Sequence, residues 1–138
     1  MICVLDACAM IAFLRGETGA NDVSSFLKGR NVQCFSHAIN LCEVYYAFFK
    51  AADQNAADSA INDLLKVGIV ERRDFDDGFW KEAGGYKVGA YKRKEQIALA
   101  DCIALSLTKR LNGQLVTSDH KEFDPIKKQN LCPIYFFR

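Results

Sequence analysis

Four carboxylates stand at positions where two kinds of chemistry could use them. Asp6 closes an apolar run ending in Val4-Leu5 and opens Ala7-Cys8-Ala9, which reads as a helix. Glu43 sits in a helical pattern whose core stripe is Leu41, Val44, Tyr45 and Phe48, with Asn40 and Ala47 one turn to either side of it. Asp101 is the only charge in 97–107, a stretch apolar almost all round and therefore buried as a helix. Asp119 follows Leu115-Val116-Thr117-Ser118, a second strand that stops at an acid. Each has an ordinary explanation. Asp6 can cap a helix, and Asp101 can sit at a capped helix start, where an unpartnered buried carboxylate would otherwise cost several kcal/mol. If the four converge, mutual repulsion raises their pKa values unless a cation neutralises them, and oxygen-only ligands suit Mg²⁺ or Mn²⁺. A divalent ion, or a pair about 4 Å apart, lowers the pKa of a water and stabilises the leaving oxygen of a phosphodiester.

These acids need a sheet and helices to present them. The first strand carries no charge before Asp6, which predicts a central strand buried on both faces, its carboxyl end the ligand-binding end of an α/β sheet. A short helix over 7–14 ends near Arg15-Gly16, and a second over 21–28 stops at Gly29. A strand over 31–35 follows, with Ser36 as the N-cap of a long helix from His37 to about Ala52. A helix over 53–66 makes a hairpin with it, and 68–71 is a short strand. Asp76-Asp77 open a helix that Gly84-Gly85 and Gly89 weaken and bend. Its tail carries Lys87, Tyr91, Lys92, Arg93 and Lys94; basic residues interleaved with tyrosines can hold a phosphate chain and stack a base, or simply form a solvated helix end. The buried helix ends at Asn112-Gly113, a strand over 114–117 follows, Asp124-Pro125 reads as a turn, and 133–137 closes the sheet. The alternation of strand and helix predicts one α/β domain over 1–138 with a mainly parallel sheet covered on both faces.

Composition narrows the classes. With 138 residues, half of them apolar, the chain can bury a sizeable core, and a net charge of +1 lacks the footprint of a passive nucleic-acid coat. The six cysteines mostly lie inside apolar patterns and read as reduced, buried thiols of a cytoplasmic protein. No Cys-x-x-Cys pair is present, and Cys34 with His37 is half a zinc site. No apolar run approaches a membrane span, no Gly-rich phosphate loop follows the first strand, and neither His37 nor His120 lies near a nucleophile elbow.

Taken together, Val4-Leu5-Asp6-Ala7-Cys8-Ala9, Asn40-Leu41-Cys42-Glu43-Val44, Ala100-Asp101-Cys102-Ile103-Ala104 and Val116-Thr117-Ser118-Asp119 resemble the four acidic motifs of the PIN-domain ribonucleases, specifically the VapC-like toxins of toxin–antitoxin pairs. The resemblance spans nearly the whole chain and implies a three-layer α/β/α fold with Asp6, Glu43, Asp101 and Asp119 binding Mg²⁺ or Mn²⁺, without an organic cofactor, to hydrolyse RNA. It also implies a homodimer and a cognate antitoxin that inserts a segment into the cleft. Thr117 and Ser118 are expected to contact metal-bound water, and Asn40 to support Glu43. One departure stands out: two positions after Asp6 the family commonly has a small hydroxyl residue, and here it is Cys8, a weaker hydrogen-bond partner. Two other readings remain open. One is a non-catalytic PIN-like module that binds RNA or a partner protein; the other is a haloacid-dehalogenase-type phosphotransfer enzyme with Asp6 as nucleophile.

Overall fold

The computed structural model describes residues 1–138. In chain order its elements are β1 (Ile2–Leu5), α1 (Ala7–Arg15), α2 (Ala20–Lys28), β2 (Gln33–His37), α3 (Ala38–Ala51), α4 (Gln54–Lys66), β3 (Val70–Arg72), α5 (Asp77–Lys92), α6 (Leu99–Arg110), β4 (Gln114–Thr117), α7 (His120–Lys128) and β5 (Ile134–Phe136). The strands form one all-parallel sheet in the order β3-β2-β1-β4-β5. β1 is central, and Cys3, Val4 and Leu5 have no exposed surface.

Strand alternation divides the core in two. Cys3, Leu5 and Val116 point to one face and pack with Met10, Val23, Val44 and Leu64 of α1, α2, α3 and α4. Val4 and Leu115 point to the other and pack with Phe79, Leu105, Phe123 and Ile126 of α5, α6 and α7. Helices therefore cover both faces, and the architecture is the expected three-layer α/β/α. From β1 the chain steps outward through β2 and β3, then returns to β4 on the other side of β1. Such a reversal opens a crevice at the carboxyl ends of the two strands that flank it, and Asp6 and Asp119 follow those two strands.

Four local expectations are corrected. β2 runs two residues further than expected, so Ser36 lies inside the strand, fully buried, and donates to the Leu5 carbonyl at 2.9 Å. His37 takes over as the α3 cap: Nδ1 accepts from the Ile39 N–H at 3.1 Å while Nε2 donates to the Asp74 carbonyl at 2.8 Å. α5 continues unbroken through Gly84, Gly85 and Gly89, because burial of Phe79, Ala83 and Ala90 outweighs a glycine cost of roughly 1 kcal/mol each. The supposed turn at Asp124-Pro125 lies within α7, where burial of Phe123 and Ile126 overrides the lost proline N–H. All six cysteines are free, and Cys42 is exposed rather than buried. No helix is long and apolar enough to cross a membrane.

Candidate metal centre

Asp6 occupies the N-cap of α1, so the ordinary reading of this residue is realised in the structure. Its Oδ1 accepts from the Ala9 N–H at 2.9 Å, and its Oδ2 accepts from the Thr117 hydroxyl. Only 1% of Asp6 is exposed. Burial pushes its pKa up to about 7; the Thr117 and Ala9 hydrogen bonds pull the other way, and the charges of Glu43 and Asp119 add to the rise. With both oxygens engaged and almost no surface, Asp6 is poorly placed to attack a phosphate, which argues against the phosphotransfer reading.

Thr117 ties the two strand ends together. Its hydroxyl donates to Asp6 and accepts from the Asp119 N–H at 3.1 Å, so one side chain fixes both acids. That use engages the proton and one of the two lone pairs of the hydroxyl that was expected to meet water. It also answers the Cys8 departure: the hydroxyl that orients Asp6 comes from β4, and the Ala9 amide adds a second donor. Cys8 still faces the cluster, where burial first, then the charges of Asp6, Asp101, Asp119 and Glu43, push its thiol up to about 12. Ser118 is half-buried, and its carbonyl accepts from the His120 N–H at 3.1 Å.

Asp119 caps α7, its Oδ1 accepting from the Glu122 N–H at 3.0 Å. One turn into that helix stands Glu122, an acid absent from the expected set. Its Oε2 accepts from the Ala98 N–H at 2.8 Å, which caps the start of α6 that no side chain of α6 itself caps. Ligand atoms of Asp101, Asp119 and Glu122 all lie within 4.8 Å of one another. Asp101 is in the first turn of α6, and its pKa is raised by burial, then by its hydrogen bond with Glu122 and by Glu122, Asp6 and Glu43 as neighbouring charges. Glu122 is held low against its own burial by its interaction with Asp101 and by the Ala98 amide, and the charges of Lys87 and Lys121 add to this. The signal for Glu122 was available in Asp119-x-x-Glu122, the spacing of a helix-start capping box.

Glu43 projects from the second turn of α3. Asn40 Nδ2 donates to Glu43 Oε2 at 3.2 Å and to the Ala100 carbonyl at 3.4 Å, bridging α3 to α6. Burial raises the Glu43 pKa and this hydrogen bond lowers it. Asn40 Oδ1 is buried without a partner, an acceptor left over beside an acidic cluster. None of the molecule's ion pairs involves Asp6, Glu43, Asp101, Asp119 or Glu122. The donor set thus contains carboxylate oxygens, an orphaned amide oxygen and no cation, which fits a hard divalent ion.

The basic tail of α5 divides. Lys87 and Tyr91 line a cavity of about 590 Å³ that Glu122 also lines. Arg93 is held by Glu95 at 2.9 Å, and Lys92 and Lys94 are exposed.

The PIN domain family model matches residues 3–128. No curated protein matches the chain. Among solved structures it is similar to VapBC2 from Rickettsia felis bound to a DNA fragment from its promoter, at 20% identity and a TM-score of 0.76, covering 99% of this chain and 98% of that one. It is likewise similar to VapBC-1 from nontypeable Haemophilus influenzae, at 20% identity and a TM-score of 0.74, covering 99% and 98%. A third similar structure is Mycobacterium tuberculosis VapC20, a sarcin-ricin loop cleaving toxin, at 10% identity and a TM-score of 0.69, covering 91% and 95%. At these identities the likeness is one of fold.

Proposed function

The chain belongs to the PIN domain family, and from that premise we propose that it is an endoribonuclease dependent on Mg²⁺ or Mn²⁺ and acts as the toxin of a toxin–antitoxin pair. The observation that carries this reading is the convergence of Asp101, Asp119 and Glu122 within 4.8 Å, with Asp6 and Glu43 close enough to raise the Asp101 pKa and no ion pair to any of the five.

Asp101, Asp119 and Glu122 would hold the ion, with Asp6 and Glu43 completing an acidic floor. When bound, a divalent ion supplies a nucleophilic water at neutral pH and neutralises charge on the leaving oxygen. The chain's own residues set the stage for this. Thr117 and the Ala9 amide fix the Asp6 carboxylate, and Asn40 fixes Glu43. Burial and the neighbouring acids raise the Asp101 pKa, so a bound cation would favour its ionised form. With no ion pair to any of these acids, the charge they carry when ionised is left for a bound cation to offset before a phosphate approaches.

The similar VapBC structures from Rickettsia felis and Haemophilus influenzae support a cognate antitoxin as partner. Exposed Tyr46 and Phe49 on α3, 63% and 47% accessible, support a protein-covered surface there, whether the partner is that antitoxin or a second copy in a homodimer. A cytoplasmic site of action follows from an RNA substrate.

Incubating the purified protein with RNA in Mg²⁺ or Mn²⁺ tests the reading. Cleavage is expected, abolished by chelator and by Asp6→Asn; cleavage that survives both controls rules out the metal-dependent mechanism. Metal binding with no cleavage, in protein freed of any co-purified antitoxin, shifts the assignment to a binding module.

A further inference from the structure

We propose that the cavity between the last turns of α5 and the segment entering α6 is a subsite for an unpaired RNA base, seating a nucleotide beside the bond that the acidic cluster would cut; this rests on the ribonuclease reading. The cavity holds about 590 Å³, within the usual range for a small-ligand site. Its walls are mixed. Lys87, Val88 and Tyr91 come from α5, Gln96 and Ala98 from the extended approach to α6, and Glu122 from α7.

The position of this cavity sets its partner. Ala98 and Glu122 belong to both the cavity and the acidic centre, because the Ala98 N–H donates to Glu122 while Glu122 lies with Asp101 and Asp119. A ligand in the cavity therefore lies against Glu122, at the edge of the cluster.

The side chains set its chemistry. Tyr91 is 82% exposed, too open to serve the core, and stands one turn after Lys87 on the same helix face. An exposed ring at a cavity mouth is a stacking platform for a base. Gln96 offers an amide that can both donate and accept along a base edge. Lys87 Nζ donates to the Ile97 carbonyl at 2.5 Å, which fixes the wall and places a positive charge at the cavity. Just beyond Tyr91, Lys92 and Lys94 are exposed and make no ion pair, so they remain free for backbone phosphates, whereas Arg93 is committed to Glu95. A base still paired inside a duplex cannot reach such a cavity, so the substrate class is single-stranded RNA or an unpaired loop.

Nucleoside 5′-monophosphates contain no phosphodiester to cut and so probe the cavity in Mg²⁺ without turnover. Titrated into ¹⁵N-labelled wild-type protein, they are expected to shift the Val88, Tyr91, Gln96 and Ala98 amide resonances saturably, while inorganic phosphate does not. Tyr91→Ala is expected to weaken this binding about tenfold, as loss of one base–aromatic stack does, and Tyr91→Phe to restore it. In RNA cleavage, Tyr91→Ala should raise KM by a similar factor with kcat retained. Absent shifts, shifts reproduced by phosphate alone, or binding indifferent to Tyr91→Ala each overturn the subsite. Saturable nucleotide shifts in a protein that cleaves no RNA uphold the subsite and sink the ribonuclease reading; cleavage without such shifts does the reverse.

Discussion

Two groups of acids in this molecule are treated in opposite ways. Between β3 and α5, Asp74 accepts from Arg72 at 2.8 Å and from Arg110 at 3.1 Å, and Asp76 accepts from Arg110 at 2.9 Å. These arginines hold both carboxyls down at about 2. Beyond the ends of β1 and β4, Asp6, Glu43, Asp101, Asp119 and Glu122 face one another with no arginine or lysine paired to any of them. Burial and mutual charge push Asp6, Glu43 and Asp101 up instead. The chain pairs acids with arginine where they serve the fold, and leaves them without an ion pair where a cation from solution can take that place.

The comparison breaks most sharply in activity. Asp119→Asn is expected to lower RNA cleavage by at least about 100-fold, since even the groups that orient metal ligands are worth roughly 10–100-fold. Asp76→Asn should leave cleavage unchanged. Equal losses in both variants, measured as kcat/KM, would erase the distinction between the two regions.

Opposite pH responses are the next largest effect. Asp6 is raised to about 7 in the folded protein from an unfolded value near 4, so its stabilising contribution is complete below about pH 4 and lost as pH rises through about 7. Asp74 is depressed to about 2, so its contribution is complete above about pH 4 and lost as pH falls through about 2. In EDTA the protein should therefore be less stable at pH 7.5 than at pH 5, by on the order of a few kcal/mol, and Mg²⁺ should remove the difference. Thermal melts followed by circular dichroism decide this; a melting temperature that climbs from pH 5 to pH 7.5 in EDTA contradicts it.

A smaller effect separates orientation from ligation. Thr117→Val removes the hydroxyl that joins Asp6 to Asp119, and cleavage should fall roughly 10–100-fold while the far-ultraviolet spectrum stays native. Smallest of all, Asp74→Asn should cost about 1 kcal/mol in urea unfolding and leave kcat/KM untouched.

Much of this contrast is readable before folding. The unbroken apolar run before Asp6 predicts a central strand, and a lone acid in an otherwise apolar helix singles out Asp101. Elsewhere the deciding partners are remote. Ser36 and His37 look like a helix start because the atoms that satisfy them inside the sheet, the Leu5 and Asp74 carbonyls, are 31 and 37 residues away in sequence. Glu122 is masked rather than absent: the Asp119-x-x-Glu122 spacing signals a helix start, Pro125 suggests a turn, and the burial of Phe123 and Ile126 decides for the helix that carries Glu122 beside Asp119. Thr117 is visible as a candidate, but its role as a clasp between two acids depends on the parallel pairing of β1 with β4.

Calorimetric titration of metal-free protein with Mn²⁺, repeated in two buffers of different ionisation enthalpy, tests most directly whether the acids converge to hold a cation. Saturable binding accompanied by proton release, with both lost in Asp101→Asn, is the predicted result. Absence of saturable heat, or binding that Asp101→Asn leaves unchanged, would contradict it.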